Sequence, residues 1–100
     1  MKQITLYRTN EPDLKFFGET VAEAKSGEGD GFWKELYLFK TKAGNFVCHE
    51  IDGSNWSGCK NEYRTEICKE DKEIKKFFGY GDLAKELYLA AGLSEEEIIE

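Results

Sequence analysis

Residues 32–53, FWKELYLFKTKAGNFVCHEIDG, decide the fold because their pattern predicts two strands joined by a tight turn. In the first half the side chains alternate, so one strand face would carry Trp33, Glu35, Tyr37 and Phe39, and the other Leu36 and Leu38. The sequence KAGN, residues 42–45, is the turn, since Gly44 and Asn45 both tolerate positive φ. These features together predict an antiparallel hairpin.

The return strand of this hairpin places the only histidine of the chain next to a cysteine. Phe46 and Cys48 would share one face, and Val47, His49 and Ile51 the opposite one. Apolar side chains on both faces indicate a central hairpin, covered by helix on one side and partly covered on the other. We expect His49 to lie under a helix, with one hydrogen bond to its ring.

Three further segments read as strands. Residues 3–9 alternate, and Pro12 within NEPD breaks the pattern because proline cannot donate to a strand ladder. Residues 14–26 are ambiguous: ETVAEAK favours helix by propensity, whereas Gly18 and Val21 disfavour it, so we predict a strand. GEGDG, residues 27–31, is a turn, and residues 62–69 resume strand alternation.

The pattern becomes helical near the end of the chain. Helices are predicted at about 71–78 and 82–91, with Asp71 and Asp82 as N-caps and Gly79 and Gly92 as stops, and a short terminal helix is possible at 94–99. The sequence therefore predicts one α+β domain, 1–100. Its four- or five-stranded, mainly antiparallel sheet, with strands within residues 3–69, would be followed by two C-terminal helices packed on one face.

Composition limits the classes of partner. The chain has 20 acidic and 14 basic residues and a net charge of −6, which disfavours nucleic acid and anionic membranes. No apolar run approaches the ~20 residues of a membrane span, and the N-terminus lacks the apolar core of a secretory signal. We expect a cytoplasmic protein whose three cysteines are free thiols.

Candidate chemical groups are few. Cys48 and His49 would point to opposite strand faces, so they are poorly placed for a catalytic dyad. Zinc ligands usually come in pairs two to four residues apart, and Cys48, Cys59 and Cys68 are not so spaced. The carboxylates and the glycines of 27–31 and 79–81 fit a solvated surface and turns. We expect no catalytic residue, no metal ligand and no cofactor.

Aromatic side chains are the more informative feature. A face formed by adjoining strands would carry Trp33, Tyr37, Phe39, Phe46 and Tyr63, which is expected to be core under the helices rather than a stacking platform for nucleic acid. Trp56, in the polar loop 52–62, and Tyr63 would leave an exposed remnant of this face. These two residues are our candidate protein-interaction site.

Two segments carry a resemblance. Residues 33–56, WKELYLFKTKAGNFVCHEIDGSNW, and 77–93, FFGYGDLAKELYLAAGL, resemble small uncharacterised proteins of bacterial plasmids, prophages and integrative elements. These share a WxELxL[YF]xTxxG core and an FFGxGxLAKELY ending, matched here by Trp33, Glu35, Leu36, Leu38, Phe39, Thr41, Gly44 and residues 77–88. The resemblance implies no defined activity and suggests a bacterial, cytoplasmic accessory protein.

Three functions follow as hypotheses. The first is a small non-enzymatic protein-interaction or accessory protein of a bacterial mobile element, which binds another protein through its acidic or aromatic surface. The second is a DNA-mimicking inhibitor of a host defence nuclease, of the anti-restriction or anti-CRISPR type, which needs acidic residues in rows at phosphate spacing. The third is an enzyme or metal protein that uses His49 with one cysteine.

Overall fold

The chain forms a single five-stranded antiparallel sheet followed by two helices, so the predicted α+β class is confirmed. A computed structural model describes residues 1–27, 31–54 and 61–93. The strands follow one another in the order of the chain: β1 Lys2–Arg8, β2 Glu11–Ser26, β3 Phe32–Thr41, β4 Phe46–Ser54 and β5 Glu62–Cys68. Each strand therefore pairs only with its sequence neighbours along the ladder.

The side chains of β3 and β4 lie on the predicted faces of the central hairpin. Tyr37 lies opposite His49, and Leu38 lies opposite Cys48. At the turn, Gly44 takes φ 90°, and the backbone N–H of Asn45 donates to the hydroxyl of Thr41 at 3.0 Å. The turn chemistry read from the sequence therefore fixes which side chains share a face.

The ambiguous segment 14–26 is strand, as predicted, and belongs to a long β2 that changes face at Val21. Thr20 pairs with Phe39 and Ala22 pairs with Leu38, so β2 contains one residue more than β3 at this point. This bulge shifts the alternation by one position. Leu14 and Phe16 consequently face one side of the sheet, whereas Ala22 faces the other with Leu38.

The break predicted at NEPD is shorter than expected. Arg8 pairs with Glu11, so only Thr9 and Asn10 form the turn, and Asn10 has φ 61°. Pro12 lies inside β2 because β2 has only β1 beside it here, its pairing with β3 starting at Gly18. Proline is tolerated in a strand with a free side.

The two predicted C-terminal helices are α1, Asp71–Phe78, and α2, Asp82–Ala91. Both end at glycines of positive φ, Gly79 and Gly92, as expected. The N-cap prediction was wrong, because Glu70 and Gly81 occupy the caps and neither helix has a side-chain cap hydrogen bond. Asp71 and Asp82 instead lie in the first turn, where a negative charge is favourable.

Both helices pack on the same face of the sheet. Their core consists of small and apolar side chains from four strands and from both helices: Ala22, Ala24, Leu36, Leu38, Cys48, Cys68, Ile74, Ala84, Leu87 and Tyr88. Tyr88 is fully buried, and its hydroxyl donates to the carbonyl of Gly79 at 2.6 Å. That bond holds the connection between the helices against α2.

The sheet curls over its other face and forms a second, smaller core there. The backbone N–H of Thr9 donates to the carbonyl of Tyr63 at 3.0 Å, and the N–H of Tyr63 donates to the Thr9 hydroxyl at 2.8 Å. The turn between β1 and β2 therefore meets the start of β5. Enclosed beneath are Leu6, Phe39 and Val47, flanked by Ile4, Leu14, Phe16 and Tyr37.

This inner core corrects the expectation that the aromatic residues of the strands form one face under the helices. Of the five residues named for that face, only Phe46 packs against the helix-side cluster, whereas Tyr37 and Phe39 face the inside of the curl. The possible helix at 94–99 and most of the loop 52–62, including Trp56, lie outside the described residues. Within the described ranges, no helix has the length and apolar character needed to cross a membrane.

Candidate functional site

Tyr63 is the one predicted interaction residue that the structure describes, since Trp56 lies outside those residues. It stands near the start of β5, where its backbone makes the two hydrogen bonds to Thr9. Its ring contacts that of Tyr7 edge-on, with centroids 4.9 Å apart and an interplanar angle of 82°. Tyr63 is therefore held rigidly at the seam where the curled sheet meets itself.

A groove of about 610 Å³ lies beside Tyr63, along the free edge of β5. Its walls come from the β1–β2 turn, from β5 and from α1, and consist of Thr9, Asn10, Glu11, Glu62, Tyr63, Arg64, Thr65, Glu66 and Phe77. Three carboxylates and one guanidinium line it. The groove is thus acidic, with one tyrosine and one phenylalanine as its aromatic walls.

Arg64, the arginine that lines the groove, already contacts Glu50 and Phe77. Its Nη2 donates to Oε2 of Glu50 at 2.8 Å, and its guanidinium lies 5.1 Å from the ring centre of Phe77. Glu50 is buried, and burial raises the pKa of its carboxyl, with Asp52 also raising it and Arg64 lowering it. Arg64 therefore serves to compensate a buried carboxylate and adds little free positive charge to the groove.

The carboxylates of the groove are less well compensated. Glu11, which is exposed, lies 3.9 Å from Nη1 of the partly buried Arg8, a long and weak ion pair. For Glu62 and Glu66 no basic side chain of the described residues lies within ion-pair distance. A negative potential therefore faces solvent next to Tyr63.

His49 lies inside the curl and not under a helix, which corrects our expectation for it. Its Nδ1 lies 2.7 Å from the hydroxyl of Thr65, and the residue is 4% exposed. Its ring is flanked by those of Tyr37 and Tyr63, at centroid distances of 6.2 and 6.3 Å. Burial lowers the pKa of His49, against smaller raising effects of the Arg64 backbone and Glu35, so the imidazole is neutral at pH 7.

Cys48 and Cys68 meet on the helix side of the sheet. Both are fully buried free thiols, with their sulfurs 3.5 Å apart. Burial raises the pKa of both, and the neighbouring Cys68 raises that of Cys48 further. Thiols of this kind are poor nucleophiles at neutral pH.

The predicted separation of Cys48 from His49 is confirmed, because the two residues face opposite sides of the sheet. A joint zinc site of Cys48, His49 and Cys68 is therefore not formed, and Cys59 lies outside the described residues. Within the described part of the chain, no group of three or more His, Cys, Asp or Glu side chains is close enough to hold a metal ion.

Sequence reasoning proposed Tyr63 as an interaction residue but did not predict the groove around it. Thr9 and Tyr63 are 54 residues apart, and nothing in the alternation of β1 or β5 shows that they meet. Asn10 gave a partial signal, since an asparagine between two strands favours a tight turn. The position of that turn against β5 depends on the curl, which the sequence pattern does not encode.

No protein family model matches the chain, and no curated protein or solved structure shows significant similarity to it.

Proposed function

We propose that the protein is a small non-enzymatic interaction protein that binds a basic surface of another protein in the groove beside Tyr63. The observation that carries the proposal is the combination, in one groove, of a rigidly held tyrosine and two carboxylates without a basic partner among the described residues. Tyrosines in such positions often dominate interface energetics. The carboxylates would select a partner by charge and accelerate association.

The setting that fits this activity is a bacterial mobile element, where the protein would act in the cytoplasm as an accessory factor. Support comes from the resemblance of residues 33–56 and 77–93 to small proteins of plasmids, prophages and integrative elements. The net charge of −6 suits a basic protein partner and disfavours nucleic acid and anionic lipid.

DNA mimicry is less well supported than protein docking. A mimic needs rows of uncompensated acids, whereas several acids here lie beside bases: Glu11 with Arg8, Glu35 with Lys25, Glu50 with Arg64, Asp52 with Lys34 and Glu70 with Lys72. Interspersed charges of this kind do not reproduce a phosphate backbone.

An enzyme or metal protein built on His49 and a cysteine is also less well supported. His49 and the thiol pair occupy opposite faces of the sheet, and both thiols have raised pKa values. Neither arrangement activates a nucleophile.

The proposal is tested by affinity capture from a bacterial lysate, followed by mass spectrometry. Wild-type bait is compared with Tyr63→Ala and with the double variant Glu62→Lys/Glu66→Lys. We expect one or more basic proteins to be enriched by wild type and lost with both variants, because the first removes the aromatic wall and the second reverses the charge of the groove.

Two control baits separate the groove from general surface properties. Tyr80→Ala removes a tyrosine that is 60% exposed in the connection between the helices. Glu19→Lys/Glu23→Lys makes the same charge change at exposed positions of β2. Both controls are expected to capture the wild-type partners. Partners retained by the groove variants, or a turnover activity without any specific partner, would contradict the proposal.

A further inference from the structure

A second concavity lies inside the curl, on the other side of Tyr63 from the acidic groove. Its volume is about 310 Å³, and it lies open to solvent between β1 and the inner face of β3, β4 and β5. The lining residues are Thr5, Leu6, Tyr7, Tyr37, Phe39, His49, Ile51 and Tyr63. Tyr7 is more than half exposed, so the cavity reaches solvent beside it.

The lining differs sharply from the rest of the molecule in charge. Acidic and basic residues form 34% of the chain, yet none lines this cavity apart from the titratable His49. A charged ligand would lose its hydration here without gaining an opposite charge, which is strongly unfavourable. An uncharged molecule therefore fits this lining better than a charged one.

The shape and chemistry of the walls indicate the ligand class. Four of the eight lining residues are Tyr or Phe, and their rings offer flat surfaces for offset or edge-to-face contact. The cavity is at the small end of the ~300–1,000 Å³ range of ligand pockets, which suits one or two fused rings. His49 adds a buried imidazole; its Nδ1 already bonds to the Thr65 hydroxyl, which leaves Nε2 as the nitrogen to orient a ligand carrying an N–H or O–H.

We propose that this cavity binds a small, uncharged aromatic molecule, which packs against Tyr37, Phe39 and Tyr63 and hydrogen-bonds to His49. The site is separate from the docking groove and does not depend on the proposed partner. Tyr63 is the only aromatic wall that the two share.

Titration of the ¹⁵N-labelled protein with indole, followed by amide chemical shifts, tests the site. We expect saturable shifts at the lining residues, with a dissociation constant between about 0.1 and 5 mM, as is usual for so small a ligand. Indole-3-acetate, which has the same ring with a carboxylate, should bind at least about tenfold more weakly because its charge is unmatched.

A pair of matched variants locates the binding site. Ile51→Phe enlarges a side chain that lines the cavity, whereas Ile67→Phe makes the same change at a position that is 54% exposed and outside it. We expect the first variant to lose indole binding and the second to keep it. Cooperative unfolding of each variant serves as the check that it is folded.

A second variant tests the role of His49 without filling the cavity. His49→Phe keeps an aromatic ring but removes the hydrogen-bonding nitrogens, so we expect indole to bind about tenfold more weakly while toluene binds as before. A purely structural role of His49 would change both ligands alike. Absence of saturable shifts in wild type, shifts away from the cavity, or full binding by Ile51→Phe would overturn the proposal.

Discussion

Gly53 lies in β4 directly opposite Trp33 of β3, and the indole ring lies over its backbone. A Cβ atom at this position would come within 2.0 Å of the Trp33 ring. We therefore expect Gly53→Ala to displace the indole and to lower the free energy of unfolding by about 1–3 kcal/mol. Urea denaturation measures the loss, and tryptophan fluorescence in a Trp56→Phe background should report the altered environment of Trp33.

Gly81→Ala is the control for this substitution. A Cβ at Gly81 would have no neighbour within 4 Å, and the residue has an ordinary φ of −68°. We expect a change below about 1 kcal/mol, mostly from the weaker N-cap. Equal losses at both glycines would show that the contact with Trp33 is unimportant.

His49 gives the protein a dependence on pH with a defined sign. Its pKa in the folded state lies below the ordinary 6.5, so below pH 6.5 the unfolded chain takes up a proton that the folded chain does not. Stability is therefore expected to fall as the pH drops from about 6.5 towards the lowered pKa. The slope from one group cannot exceed about 1.4 kcal/mol per pH unit.

The measurement is the free energy of unfolding between pH 8 and 5 for wild type and for His49→Gln, which does not titrate. Glu50 acts in the opposite direction, since its raised pKa favours the folded state as the pH falls, but it is present in both proteins. We expect the wild type to lose stability relative to His49→Gln below pH 6.5. If the free energy of unfolding depends on pH in the same way in both proteins, the pKa of His49 is not lowered by folding.

At the scale of single residues, the sequence predicted the faces of β3 and β4 well, because strict alternation and a glycine turn leave only one register. The separation of Cys48 from His49 follows from that alternation. The sequence did not predict what surrounds His49. Strand alternation shows which side chains share a face, but not whether the helices or the curled sheet cover that face.

At the scale of elements, the bulge at Val21 allows β2 to present Leu14 and Phe16 to one face of the sheet and Ala22 and Ala24 to the other. Deleting Val21 would remove the extra residue and leave Thr20 opposite Phe39 and Ala22 opposite Leu38, so Ala22 and Ala24 would still face the helices. We expect the deletion to cost about 1–3 kcal/mol, because it removes the contact of Val21 with the helix-side core and the local bend of β2. Urea denaturation and circular dichroism measure the effect.

A one-residue insertion in the β3–β4 turn is the control for the Val21 deletion. Inserting a glycine after Gly44 lengthens the β3–β4 turn, where a Cβ would meet nothing within 4 Å. We expect a loss of no more than about 1 kcal/mol. A Val21 deletion that is tolerated as well as this insertion would show that neither the packing of Val21 nor the bend of β2 contributes to stability.

Elements were the part of the fold most open to prediction. Strand alternation, the turn glycines and the helical spacing of Ile74, Phe77 and Phe78 gave the five strands and two helices. The cap residues were misassigned because an aspartate one position inside a helix has the same local pattern as a capping aspartate. The bulge was missed because alanines satisfy either face of a strand.

At the scale of the whole molecule, the curl of the sheet forms both candidate sites. It carries the β1–β2 turn onto the start of β5, and in doing so it creates both the acidic groove and the uncharged cavity. The curl results from three features together: the bulge in β2, the twist of the strands and the contact between Thr9 and Tyr63. No single motif signals it, so Tyr63 was predicted for its aromatic character and not for its neighbours.

Calorimetry with the purified partner measures whether the groove beside Tyr63 binds another protein. We expect Tyr63→Ala to weaken binding by about 2 kcal/mol or more, roughly thirtyfold, while Tyr80→Ala changes it by less than twofold. We also expect added salt to weaken binding by wild type more than by Glu62→Lys/Glu66→Lys. Equal affinity of wild type and Tyr63→Ala for the captured partner would show that the groove beside Tyr63 is not the binding site.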